Sequence, residues 1–412
     1  MSDHFDDLER RAPQARERAL LEALPAHIEH ARRRAPAYGA LLEGIDAGAV
    51  TTREALAALP LTRKSDLADR QANDPPFGGF AATATAELSR VFASPGPIFE
   101  PEAAREDYWR TARALFAAGL RRGELVHNTF SYHFTPAGMM LESGARALGC
   151  PVFAAGVGQS ELQVEAIARL RPSFYVGTPS FLDIILDKAV ELGADVSSLA
   201  RGLVSGEALP PSLREHLASR GVAVRQCYAT ADLGLIAYES EAMEGMIVDE
   251  AVLLEIVRPG TGDPVAPGEV GEVIVTVLNR DYPLIRFATG DMSAVMEGTS
   301  PCGRTNVRIK GWMGRADQTT KVRGMFVHPS QVAAVLERHP EALKGRLVVD
   351  SRDNRDIMTL HCEVAGSPPE ALAEAMAGSV REVCKLRAEI VFAAPGSLAN
   401  DGKVIDDVRT YE

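Results

Sequence analysis

Apolar residues recur every three or four positions through the N-terminal stretch, as in Ala19-Leu20-Leu21-Glu22-Ala23-Leu24. With Ala, Leu, Glu and Arg abundant, that stretch predicts helix until Leu59-Pro60-Leu61-Thr62 interrupts it. From Tyr108 to Ala200, helical stretches alternate with short apolar runs: Leu125-Val126-His127-Asn128-Thr129, Pro151-Val152-Phe153-Ala154 and Phe174-Tyr175-Val176-Gly177-Thr178. Such alternation predicts an α/β domain, a largely parallel sheet covered by helices, with ligands bound beyond the carboxyl ends of its strands. Further strands are expected at Gly202-Leu203-Val204-Ser205-Gly206-Glu207 and Gly221-Val222-Ala223-Val224-Arg225-Gln226-Cys227-Tyr228. After residue 245 the texture becomes antiparallel. Ala251-Val252-Leu253-Leu254-Glu255-Ile256-Val257 and Gly271-Glu272-Val273-Ile274-Val275-Thr276-Val277 flank a turn-rich Pro259-Gly260-Thr261-Gly262-Asp263-Pro264, which suggests a small β-subdomain. Beyond Asp317 the pattern is that of a compact α+β tail. The expected division is therefore a large N-terminal domain, 1–316 (helical lead-in 1–75, α/β core 76–245, β-subdomain 246–316), and a small C-terminal domain, 317–412.

Composition narrows the function classes. At 412 residues the chain exceeds what one core usually covers, and 46% hydrophobic with 24% charged residues is ordinary for a globular protein. A net charge of -12 argues against a nucleic-acid surface, and Arg32-Arg33-Arg34 reads as a solvated helical face. The five cysteines are scattered without a CxxC pair, so neither a disulfide framework nor a zinc site is expected. The acidic start, Met1-Ser2-Asp3-His4-Phe5-Asp6-Asp7, has no apolar leader, and no run approaches the ~18 apolar residues of a membrane span. A reduced, cytoplasmic protein with no membrane partner is the expectation.

Three short segments carry candidate chemistry. In Arg286-Phe287-Ala288-Thr289-Gly290-Asp291, the glycine reads as a turn that lets Asp291 project from a tight corner, where a carboxylate can accept hydrogen bonds from vicinal ribose hydroxyls; taken alone, it equally fits an Asx-type turn closing a hairpin. Gly314-Arg315-Ala316-Asp317 follows. Near the end, Ser397-Leu398-Ala399-Asn400-Asp401-Gly402-Lys403-Val404-Ile405 places a lysine behind a glycine, either a catalytic cation or an exposed charge. In order and spacing, TGD, GRxD and the late GK resemble the adenylate-forming enzymes, and most of all the phenylacetate-CoA ligase branch. The resemblance extends from Leu59-Pro60-Leu61-Thr62-Arg63-Lys64-Ser65-Asp66-Leu67 to Lys403.

It implies that Asp291 holds ribose, that Arg315 reaches the nucleotide, and that Asp317 is the hinge of a mobile C-terminal domain. Lys403 would then offset charge developing between carboxylate and α-phosphate. Ser205-Gly206-Glu207-Ala208 resembles the loop beside adenine, and Tyr228-Ala229-Thr230-Ala231-Asp232 resembles an aromatic-Gly-x-Thr-Glu segment. By that resemblance Gly206, Glu207, Tyr228 and Thr230 line the nucleotide, and Asp232 is a magnesium ligand. The other reading of Asp232 is a helix cap. Phe130-Ser131-Tyr132-His133-Phe134-Thr135 and Gly177-Thr178-Pro179-Ser180 lie where the branch holds its aryl acid, which gives Tyr132, Phe134 and Thr178 as acid-binding candidates and His133 as a catalytic one. Clustered aromatics are also ordinary core, and a lone histidine is often structural.

The sequence departs from the family at Ala93-Ser94-Pro95-Gly96-Pro97-Ile98-Phe99-Glu100-Pro101, where a Ser/Thr/Gly-rich phosphate loop normally closes with Gly-Lys. Only Ser94 and Gly96 keep that character; the prolines donate no N–H and Glu100 repels phosphate. Cys302-Gly303-Arg304-Thr305 retains one cysteine of a zinc cluster found in some members of the branch. The resemblance thus implies an AMP-forming ligase joining an aromatic or arylacetic acid to coenzyme A at the expense of ATP, with Mg²⁺, and is compatible with a homodimer. The alternative is a family member that binds nucleotide, acyl-adenylate or CoA, or transfers an acyl group, without normal adenylation.

Overall fold

The computed structural model describes residues 4–258, 262–313, 316, 320–323, 325–327, 329–352, 355–366, 368, 371–398 and 404–409. The chain divides into two compact units, Met1–Trp312 and Met313–Glu412.

The first unit is organised around a nine-stranded sheet. Its parallel part runs in the spatial order Val152–Ala154, Val126–Asn128, Phe174–Gly177, Arg201–Val204 and Ala223–Thr230. The strands read as continuous apolar runs because both faces are covered. On one face Phe174, Val176 and Leu203 pack with Leu115 and Met140 from the helices Ala112–Ala117 and Ala137–Ala147. On the other, Tyr175, Val204 and Val224 meet Ile167, Leu182 and Leu217 from Ser160–Leu170, Pro179–Leu192 and Pro211–Ser219. Neighbouring strand residues point to opposite faces, so a single run serves both layers. Gly177 allows the closest approach in this sheet, since a Cβ there would lie 1.9 Å from Thr129 Oγ1 and 2.2 Å from the Tyr175 hydroxyl oxygen.

The stretch 246–316, expected as a β-subdomain, divides its strands between two sheets. Val252–Val257, Gly271–Val277 and Phe287–Ser293 form a four-stranded sheet whose fourth strand, Thr62–Arg63, comes from the lead-in and lies parallel to Phe287 and Ala288. Met246–Val248, Arg308–Ile309 and Val295–Met296 instead extend the nine-stranded sheet. Arg286 secures this arrangement. Its buried guanidinium pairs with Glu255 at 3.1 Å and donates to the carbonyls of Leu59 (2.6 Å) and Gly262 (2.8 Å). Leu24 and Ile28 of the long helix Pro13–Arg34 complete that core against Val273, Val275 and Phe287.

The N-terminal segment is tied down by charge. Buried Glu9 meets Arg304 at 3.0 Å and Arg113 at 3.1 Å and accepts from the Tyr238 hydroxyl at 3.0 Å. Cys302, the residual cysteine, lies beside Ser300 with Sγ 3.0 Å from Oγ.

The second unit is a four-stranded sheet, Glu389–Ala393, Arg355–Val364, Ala342–Arg352 and Ile405–Asp407, with the helices Pro329–Glu337 and Leu372–Cys384. Val335, Met376 and Val380 pack on Leu347, Val349 and Leu360.

Candidate active site

Parallel strands deliver their functional turns to one edge, beyond their carboxyl ends. After Val126–Asn128 comes the aromatic loop 130–135, after Phe174–Gly177 comes Thr178, after Arg201–Val204 come Gly206 and Glu207, and Tyr228 lies near the end of Ala223–Thr230. Thr178 caps the following helix, its Oγ1 accepting from Phe181 N at 3.3 Å, and Ser180 Oγ donates to Glu207 Oε2 at 2.5 Å. Gly206 sits over this loop junction at φ +80°, where a Cβ would stand 3.8 Å from the Phe130 ring and 3.9 Å from the Thr178 methyl.

Asp291 does not occupy the turn expected from its sequence. It lies within the strand Phe287–Ser293, where the pairing with Gly271–Val277 slips between Glu272 and Ile274. Gly290 adopts φ +76°, and Thr289 Oγ1 donates to Val273 O at 3.0 Å. A bulge of this kind re-aims a side chain without ending the strand. The Tyr228 hydroxyl donates to Asp291 Oδ2 at 2.8 Å and Trp312 Nε1 to Oδ1 at 3.1 Å. Trp312 was not anticipated from the sequence.

Asp232 is not a helix cap. It lies in a tight turn between Ala223–Thr230 and the antiparallel strand Gly234–Tyr238, with Thr230 Oγ1 accepting from Leu233 N at 3.2 Å. Asp232 is 3% exposed and meets Lys64 Nζ at 2.5 Å. Its Oδ1 is buried and accepts no hydrogen bond from the described residues.

Lys64, in the short 3₁₀ turn Lys64–Asp66, is the main residue that sequence reasoning missed, although it stood within the quoted Leu61-Thr62-Arg63-Lys64 segment. Burial works against its charge, but the fields of Asp232, Glu100 and Asp291 outweigh this and hold the ammonium above its ordinary pKa. Three carboxyl groups contributed by distant parts of the chain thus act on one cation.

The proline-rich segment is a hairpin. Leu88–Ser94 pairs with Ile98–Ala103, and Gln71 clamps Phe99 by accepting from its N–H at 2.7 Å and donating to its carbonyl at 2.9 Å. Glu100 is fully buried; burial first and Asp232 second push its carboxyl up to about 8. Ser94 donates to it twice, from its hydroxyl to Oε1 and from its amide to Oε2 at 3.2 Å. The aromatic loop docks on the same hairpin, Ala93 N donating to Phe134 O at 2.9 Å. In that loop the Tyr132 hydroxyl accepts from Asn128 Nδ2 at 2.8 Å, and His133 is exposed with its ring edge-on to exposed Phe134 at 4.7 Å. Gly96 forms part of the hairpin turn. Arg315, Asp317 and Lys403 lie outside the described residues.

A doubly covered parallel sheet with Asp291 and the Lys64–Asp232 pair near its carboxyl edge matches the expected adenylate-forming fold. The AMP-binding enzyme family matches residues 106–277. A phenylacetate-coenzyme A ligase of Thermus thermophilus is 32% identical over 361 residues, covering 83% of this chain and 80% of its own length. A phenylacetate-coenzyme A ligase of Aromatoleum evansii is 29% identical over 412 residues, covering 93% and 92%. Among solved structures, 2-hydroxyisobutyryl-CoA ligase in complex with 2-HIB-AMP and CoA superposes with a TM-score of 0.81 at 24% identity, covering 100% of this chain and 93% of that one. The chain belongs to the phenylacetate-coenzyme A ligase family.

Among the described residues no group of three or more His, Cys, Asp and Glu side chains is placed to hold a metal ion, and no helix is long and apolar enough to cross a membrane.

Proposed function

We propose that the chain is an AMP-forming carboxylate–coenzyme A ligase acting on an aromatic or arylacetic acid. The observation that carries this reading is the convergence of Asp291, held by Tyr228 and Trp312, with the Lys64–Asp232 ion pair at the carboxyl edge of the parallel sheet. Asp291 accepts the vicinal ribose hydroxyls. Lys64 pairs with Asp232 and lies in the field of Asp291, and its charge offsets that of the α-phosphate.

In the first half-reaction the substrate carboxylate attacks the α-phosphorus, the bond to the bridging oxygen breaks, and pyrophosphate leaves with the electron pair. Lys403 adds a second cation at the developing negative charge. In the second half the thiol of coenzyme A, losing its proton, attacks the acyl carbon and AMP departs. Domain movement at Asp317 would exchange these two arrangements and keep water from the mixed anhydride. Asp232, with a buried and unengaged carboxylate oxygen, is the residue that would hold Mg²⁺ brought in with ATP, which supplies charge neutralisation on the phosphates. Tyr132, Phe134 and Thr178 line the acid side, with His133 within reach of a carboxylate from the same loop. Arg315, Gly206, Glu207 and Thr230 complete the nucleotide side.

The likeness to ligases along most of the chain speaks for catalysis rather than for the binding-only alternative. The test is acid-dependent ATP–pyrophosphate exchange across benzoates, phenylacetates and aliphatic acids. Exchange with an aryl acid, lost in Lys403→Ala, is expected. A folded protein that exchanges with no acid would refute the proposal.

A further inference from the structure

Between Ser94 and Ile98 the hairpin turn is Pro95-Gly96-Pro97, so two of its three residues have no N–H to offer an anion. Ser94 is left as the turn's best donor, with an amide and a hydroxyl side by side. Both are already used, because Glu100 reaches across the hairpin and accepts the amide at one carboxyl oxygen and the hydroxyl at the other. This contact is built into the core: Glu100 is 0% exposed, and Gln71 locks the neighbouring Phe99 backbone on both sides.

Ile98 of the hairpin packs in one core with Leu67 and Leu233, and these two flank Lys64 and Asp232 in the chain, so the hairpin lies beside the Lys64–Asp232 pair. An AMP unit held at Asp291 needs only Lys64 for its single phosphate. On the ligase reading, phosphates beyond the first would have the hairpin as their neighbour, where both donors of Ser94 are occupied by an internal carboxyl group.

Resting on the ligase reading above, we propose that Glu100 is an intramolecular substitute for nucleotide phosphate: by holding both donors of Ser94 it sets how weakly the chain prefers ATP to AMP. The second and third phosphates then contribute little to ground-state affinity, and the products AMP and acyl-adenylate compete well with ATP. This is a specificity role, since Glu100 acts through Ser94 and does not itself contact the reacting atoms.

The experiment is isothermal titration of the full chain with Mg·ATP and with AMP, in wild type and in Glu100→Gln. The two Ser94 donors go to different carboxyl oxygens, and a carboxamide puts an NH₂ donor in place of one of them, so in this geometry the variant releases one Ser94 donor. Wild type is expected to bind ATP no more than about threefold tighter than AMP, and Glu100→Gln to raise that ratio about tenfold, the worth of one recovered charge-assisted bond. Wild type binding ATP more than about tenfold tighter than AMP would overturn the proposal even if the variant failed to fold. So would a folded Glu100→Gln with an unchanged ATP-to-AMP ratio. Absence of AMP binding by wild type is a different failure: it would refute the ligase reading itself, and this inference with it.

Discussion

Lys64→Met is the most informative single change, because Lys64 serves stability and chemistry through the same ion pair. Its Nζ lies 2.5 Å from an Asp232 carboxylate that is itself 3% exposed. Removing one partner of a buried pair leaves an uncompensated charge and typically costs about 3–5 kcal/mol. The Lys64 side chain is 26% exposed, so water partly replaces it, and we expect about 2–3 kcal/mol here. Asp232→Asn should cost less, since the stranded ammonium can reach solvent. The double variant should recover about 2 kcal/mol relative to the sum of the two. Urea denaturation of the four proteins measures this, alongside ATP–pyrophosphate exchange. Stability should return in the double variant while exchange stays lost, because the Lys64 cation and the Asp232 carboxylate are then both missing from the site. Additivity of the two single effects within about 0.5 kcal/mol, or full exchange by Lys64→Met, would refute the reasoning.

Other consequences are equally concrete. Asp291→Ala removes the acceptor held by Tyr228 and Trp312 and should weaken AMP binding by about tenfold or more without unfolding the protein, as read by titration calorimetry. Arg304→Ala strips a 1% exposed guanidinium from buried Glu9 and should cost about 3 kcal/mol in urea denaturation, leaving nucleotide affinity intact. Buried His27 is pushed down to about 4 by desolvation first, then by His30 and Arg280. Its folded state favours the neutral ring, so the stability it contributes is present above pH 6.5 and lost as the pH falls from there toward 4, by roughly 2–3 kcal/mol. His27→Leu should remove that part of the acid sensitivity in melts compared at pH 7 and pH 4.5, and an unchanged difference between the two pH values would count against it.

The parallel sheet was legible because each strand is buried on both faces and so appears as an unbroken apolar run between helical periods, as at Phe174-Tyr175-Val176-Gly177. Asp291 was legible as a chemical group but not in its setting: a bulge breaks the two-residue period and reads as a turn, although the strand continues to Ser293. The hairpin around Pro95 was hidden for a related reason. Prolines and an outward-looking pattern at Leu88-Ser89-Arg90 indicate a loop, while the inward turn of Glu100 exists only once the hairpin pairs and Ser94 donates to it. Lys64 offered no local signal at all. A lysine after Thr62-Arg63 is usually solvated, and its partner Asp232 lies 168 residues away. How 246–316 divides between two sheets was not legible, because short strands such as Arg308–Ile309 carry no mark of which sheet edge they will join.

The central claim, ligation by way of an acyl-adenylate, is tested most directly by product stoichiometry. Purified protein with Mg·ATP, coenzyme A and an arylacetic or benzoic acid should form AMP, pyrophosphate and the acyl-CoA thioester in equal amounts, and omitting the acid should stop all three. Formation of ADP and phosphate in place of AMP and pyrophosphate, or no thioester with any acid from a folded protein that binds AMP, would contradict the account.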